Sequence, residues 1–139
     1  MGNYHQLYYH ATWATKERQP LIDEQLQQLL HDYLKGKTID MGGIAFAVGG
    51  ITEHVHLCLS IPPNIAVSTF IGQLKGASAH WVNHIVRPEG SFGWQEGYGV
   101  FTVSKDILGH VVAYINNQEE HHRNVTIEKR WEIEPPTGG

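Results

Sequence analysis

The stretch Ile51-Thr52-Glu53-His54-Val55-His56-Leu57-Cys58-Leu59-Ser60 alternates polar or small residues with aliphatic ones. Side chains alternate faces along a strand, so Val55, Leu57, Leu59 and Ile61 point one way and His54, His56, Cys58 and Ser60 the other. The aliphatic side predicts a core face, and the histidine side needs its own explanation. Elsewhere the period changes. The aromatic and Thr-rich run from about Tyr4 to Thr15 predicts a strand that Arg18-Gln19-Pro20 breaks. Behind Asp23, a candidate N-cap, Leu26, Leu29, Leu30, Tyr33 and Leu34 recur at helical spacing, and Gly36 predicts the helix end. Ile44 to Val48 reads as a short strand, Gly49-Gly50 as a turn, and Pro62-Pro63 as the stop of the histidine strand. Ser68 is the expected cap of a second helix to about Val86, with Phe70, Ile71, Leu74, Ala77, Trp81 and Ile85 on its inner side. Gly99 to Ser104 predicts a strand, and Asp106 opens a third helix to about His121.

The order is β-α-β-β-α-β followed by a helix. It predicts the α+β class: a ferredoxin-like antiparallel sheet with an added C-terminal helix. Two helices should cover the aliphatic face, leaving the face of His54 and His56 open or under the third helix. One domain is expected over residues 1–139, folded to about 131, with a Pro/Gly-rich mobile tail at 132–139.

Composition narrows the partners. The formal charge of −4 argues against a protein that coats nucleic acid generically, though not against one reading a particular shape through local contacts. No apolar run is long enough to cross a membrane and no leader pattern is visible. The single cysteine, Cys58, excludes an internal disulfide and fits a cytoplasmic location. Ten histidines in a chain this short invite a metal hypothesis.

Two histidines at i, i+2 on a strand can share a divalent ion; the pair alone leaves a metal site and a solvated polar face equally open. The third helix adds His110, Tyr114 and Gln118 at intervals of four, apart from a core stripe of Leu108, Val111, Val112 and Ile115. A tyrosine there either snorkels at the core edge or presents its phenol to the histidines. A phenol of pKa about 10 is a poor nucleophile at neutral pH unless charge on the attacked phosphate is stabilised. Two imidazoles and an amide oxygen suit Mg²⁺ or Mn²⁺ better than structural zinc, with zinc still open.

At this point the residues carry a resemblance. His54-Val55-His56 resembles the histidine–hydrophobic–histidine (HUH) motif, and Gly49 to Leu57 with Pro62-Pro63 is similar to the same segment of the single-tyrosine HUH transposases of small insertion sequences, the TnpA type. So are Gln73-Leu74-Lys75-Gly76, Trp94-Gln95-Glu96-Gly97-Tyr98-Gly99 with Phe101 to Ser104, and Tyr114-Ile115 with Gln118 and His121-His122. The matches span about residues 5–123. The resemblance implies His54, His56 and Gln118 as metal ligands and Tyr114 as the nucleophile on single-stranded DNA, leaving a 5′-phosphotyrosine link and a free 3′-OH. It further implies recognition of imperfect hairpins and a homodimer whose tyrosine helix can complete the partner's site. Two other readings remain: a non-catalytic DNA-hairpin-binding module or domesticated regulator, and a metal-dependent nuclease using water.

Further residues carry paired readings. Lys75 is a solvated lysine or a phosphate contact, and Tyr98 a packing residue or a platform for an unpaired base. Trp94 is read as packing. His121, His122 and Arg123 bind phosphate or suit a helix C-terminus. Cys58 is read as a small buried residue rather than a soft ligand. Glu53 is read as a turn residue rather than a support for the histidines, and Lys16 and Arg18 as surface.

Overall fold

The structure, a computed structural model, describes residues 3–118. Strands β1 (Tyr8–Ala14), β2 (Ile44–Ile51), β3 (His54–Ser60) and β4 (Gly99–Val103) form one antiparallel sheet in the order β2-β3-β1-β4. Helix α1 (Glu24–Asp40) joins β1 to β2, α2 (Val67–Trp81) joins β3 to β4, and α3 (Leu108–Asn116) follows β4 through a short 3₁₀ turn. This is the ferredoxin-like α+β fold with the added helix in place. His121, Arg123 and the tail 132–139 lie outside the described residues.

The alternation of β3 sorts the two cores. Val55, Leu57, Leu59 and Ile61 meet Leu26, Leu30 and Leu34 of α1 and Phe70, Ile71 and Leu74 of α2. On the opposite face Cys58 joins Ala47, Val103, Val111, Tyr114 and Ile115. A bulge in β2 between Ala45 and Ala47 brings both Phe46 and Ala47 into this second cluster. The histidine face is therefore covered: α3 lies across β2 and β3.

Several boundaries differ from the sequence reading. β1 begins at Tyr8, which is the residue paired with Ser60 and Val103 at the ends of its neighbours, so residues before it have no strand to bond. Asp23 caps α1 as expected, its carboxylate accepting from Leu26 N–H at 3.0 Å. Gly36 does not end that helix, because a solvent-facing glycine costs only about 1 kcal/mol in a helix that buries Leu34 and Thr38 on its other side. The stop comes at Gly42, whose φ of +90° lets Gly43 N–H reach Thr38 O at 2.9 Å. Leu29 faces solvent. Gly49-Gly50 is strand, and the turn is Thr52-Glu53. α2 starts at Val67 after Ala66, with Ser68 inside the helix and making no cap. Its continuation, Val82–Val86, widens into a π turn that points Val82 inward and leaves Ile85 exposed.

Candidate functional site

The site grows from the registration of three strands. His56 pairs with Thr12 on β1 and Gly49 on β2, and Cys58 pairs with His10 and Ala47. On β4, Phe101 faces His10. Opposite His56 and Cys58, then, β2 contributes only Gly49 and Ala47, and that low ground is where α3 settles. A Cβ at Gly49 would lie 2.3 Å from the carbonyl oxygen of Ile115, so the approach of α3 requires glycine there.

That approach carries Tyr114 to the histidines. Its ring centroid is 6.0 Å from that of His56 and 6.4 Å from that of His10. The rings of His54 and His56 are 4.9 Å apart, at 76°. His54, His56 and Tyr114 are 2%, 0% and 5% exposed. Gln118 is also buried, lining a recess of about 130 Å³ with Gly49, Gly50, His31 and Asn116. Gly49 and Gly50 belong to the edge strand β2, so Gln118 stands at that edge of the sheet, toward His31 of α1.

The structure thus sets His54 beside His56 and Tyr114 against His56 within one chain, leaves Gln118 in the recess at the β2 edge, and corrects their setting. Tyr114 does not belong to a polar stripe: it packs with Val111 and Ile115, and His110 is exposed. Val111, Tyr114 and Ile115 form the inward stripe of α3, and Gln118, also buried, lies two residues past its end. Because the face is covered rather than open, truncating His54 or His56 removes packing as well as donors.

The start of β3 is fixed from outside. Thr12 Oγ1 donates to Val55 O at 2.9 Å, and Thr15 N–H to Glu53 O at 2.8 Å. Glu53 is a turn residue and something more: its carboxylate accepts from Arg18 at 2.9 Å and lies 3.6 Å from His54 Nδ1. Arg18 is accordingly not a plain surface residue. It and Glu17 hold left-handed φ values of 53° and 56°, a strained pair kept in place partly by Glu17 N–H donating to Gln95 Oε1 at 2.7 Å.

Lys75 is half-buried and bonded within the chain. Its ammonium donates to Gln95 O and Gly97 O at 2.8 and 2.7 Å, and burial lowers its pKa. It braces the loop that carries Trp94 and Tyr98. Trp94 packs as expected, edge-on to Trp13 and Phe92, with its indole N–H donating to Ser78 Oγ. Tyr98 is 40% exposed. Arg87 is bound to Asp23 and holds that carboxyl below its ordinary value. Cys58 is buried, as expected, and burial pushes its thiol up to about 11.

Sequence reasoning missed His10. It is fully buried, and its Nε2 lies 2.7 Å from His56 Nδ1. The alternation of β1 could have placed it on one face with Tyr8 and Thr12; only the pairing with Cys58 shows that this is the histidine face.

Fold and site together define an α+β protein whose tyrosine-bearing helix closes over a sheet face carrying histidines. Residues 3–118 match the family profile described as Transposase IS200 like, and the chain belongs to that family of transposases. It is 31% identical over 124 residues to the ISDra2 transposase TnpA of Deinococcus radiodurans, covering 86% of this chain and 89% of the relative. It is 33% identical over 82 residues to the transposase for insertion sequence element IS200 of Salmonella typhimurium, covering 51% and 49%. A solved Deinococcus radiodurans structure superposes with a TM-score of 0.66 at 32% identity, covering 85% of this chain and 95% of that one. The REP-associated tyrosine transposase bound to a REP hairpin shares the fold, with a TM-score of 0.63 at 17% identity over 88% and 74% of the chains. Among the described residues no helix is long and apolar enough to cross a membrane.

Proposed function

We propose that this transposase cuts and rejoins single-stranded DNA at the ends of an insertion sequence, with Tyr114 as the covalent nucleophile. The observation that carries the reading is the tyrosine ring set against His56 on the sheet face, 6.0 Å between centroids. Tyr114 Oη attacks phosphorus, an O–P bond forms, the P–O3′ bond breaks, and the departing 3′-oxygen ends with the proton the phenol gives up. The number of phosphoester bonds is unchanged, so the 3′-OH can reverse the step without ATP.

The donor set fits a divalent cation. His54, His56 and the amide oxygen of Gln118 would hold it; among the described residues no three histidine, cysteine or carboxylate side chains converge as an alternative cage. Such a mixed nitrogen and oxygen set suits Mg²⁺ or Mn²⁺. When bound, the ion supplies charge stabilisation at the attacked phosphate. The protein's own part is positioning. β3 holds the two imidazoles, α3 sets the phenol on its inward stripe, and the turn at Asn117 past its end carries the amide of Gln118.

The substrate proposed is DNA that bears an imperfect hairpin, supported by the REP hairpin held by the solved relative. Tyr98, half exposed on the loop braced by Lys75, is suited to stack on an unpaired base. A homodimer is proposed with it. The test uses the substitution Tyr114→Phe, which removes one oxygen. Given DNA labelled on its 3′ fragment, wild type should yield a protein–DNA species that survives boiling in detergent, and Tyr114→Phe none. Cleavage by Tyr114→Phe at the wild-type rate would make water the nucleophile and end this reading.

A further inference from the structure

We propose that His10 positions His56, fixing the orientation of that ring and which of its nitrogens faces the cation. The inference rests on the reading of His54, His56 and Gln118 as a metal site.

His10 lies on β1 opposite Cys58 and Phe101, diagonal to His56, whose own partner on that strand is Thr12. Diagonal neighbours on one face of a sheet are within reach of each other's rings. Here the two imidazoles, centroids 5.0 Å apart and both fully buried, meet through His10 Nε2 and His56 Nδ1 at 2.7 Å. Phe101 and Tyr114 flank His10, at 6.0 and 6.4 Å between centroids, so the ring is held on two further sides.

A hydrogen bond between two neutral imidazoles has one donor and one acceptor, so two arrangements exist. In the first, His56 Nδ1–H donates to His10 Nε2, and His56 Nε2 keeps an in-plane lone pair for a cation. In the second, His10 Nε2–H donates to His56 Nδ1; the proton then sits on His56 Nε2, and no lone pair remains there. Nδ1 is engaged either way, so Nε2 is the ligand atom and cation binding selects the first arrangement. The two arrangements differ only in the placement of protons. A ligating histidine held at its second nitrogen is the usual supporting device, and losing the support costs about 10–100-fold in metal affinity.

The experiment combines calorimetry and NMR on the whole chain. His10→Leu replaces the buried ring with an apolar group, while His10→Gln keeps an amide oxygen able to accept from Nδ1–H. Mn²⁺ affinity should fall about 10–100-fold in His10→Leu. It should return to within about threefold of wild type in His10→Gln, with thermal midpoints reported for both. In wild type loaded with diamagnetic Zn²⁺, ¹⁵N spectra should show His56 protonated at Nδ1, with coupling across the hydrogen bond to His10 Nε2. This measurement needs no variant to fold. Wild-type affinity in His10→Leu, or a Zn²⁺-loaded His56 protonated at Nε2, overturns the assignment. If Mn²⁺ binds wild type no better than it binds His54→Ala, the metal reading falls and this inference with it. Loss in His54→Ala with full affinity in His10→Leu sinks only the role of His10.

Discussion

Replacing Gly49 with alanine tests whether the contact between β2 and α3 sets the geometry of the site. A Cβ at this position would sit 2.3 Å from Ile115 O, 3.0 Å from Ile115 Cγ2 and 3.1 Å from the Ile115 carbonyl carbon. The nearest approach that real Cβ atoms make is 3.0 Å, so α3 must retreat by at least 3.0 − 2.3 = 0.7 Å. Backbone is the obstacle, and no rotamer change relieves it. Overpacking of this kind costs about 1–3 kcal/mol. Ile115 adjoins Tyr114, so the retreat also draws the phenol away from the histidines, and a displacement near 1 Å can cost about 100-fold in rate. Denaturant unfolding and a timed assay of hairpin-DNA cleavage read the two effects separately. The control is Gly36→Ala, with nothing within 4 Å of the new Cβ, expected to gain about 0.4–1 kcal/mol and to cleave as wild type does. If Gly49→Ala matches wild type in both assays, α3 is not seated by this contact. A loss of stability at an unchanged rate would mean that the seat of the helix does not limit the chemistry.

Two further outcomes follow from the electrostatics. Burial lowers the pKa of His31 to about 4 against an ordinary 6.5, so above pH 6.5 the ring is neutral folded and unfolded, and below it the unfolded chain takes the proton first. Stability should therefore be lost between pH 6.5 and 4, by roughly 3 kcal/mol from this group, and urea unfolding of His31→Leu across that window should show the slope flattened; an unchanged slope would refute the assignment. Lys75→Met removes both bonds that brace the 95–97 loop, and should cost about 1–2 kcal/mol by the same method. A solvated lysine would leave unfolding unchanged.

The sequence was most legible where one period governs. The alternation of β3 announced both faces of the sheet, and its order among helices and strands announced the fold. Position in the sheet was less visible. His10 and His56 are far apart along the chain and meet only through the register of β1 on β3. Gly49-Gly50 looked like turn chemistry, but Gly49 is demanded by Ile115, on an element much later in sequence, and Gly50, at a φ of +147°, by the backbone of His54 and Val55 on the next strand. Tyr114 was placed by intervals of four alone; including Val111, three residues before it, and the adjacent Ile115 aligns it with the buried side. Lys75 gave no local sign of its bond to backbone carbonyls twenty residues on.

Cys58 is the sole thiol in the sequence, and it is sealed between the sheet and α3 with its ionisation pushed to about 11. A maleimide or disulfide probe needs an accessible thiolate, so the wild-type chain should be nearly silent to such reagents at neutral pH. A cysteine introduced at an open position such as Gly36 or Gly76 would then be the one reactive handle on the molecule. The chain comes ready for site-specific labelling, and any modification of Cys58 itself reports that α3 has left the sheet.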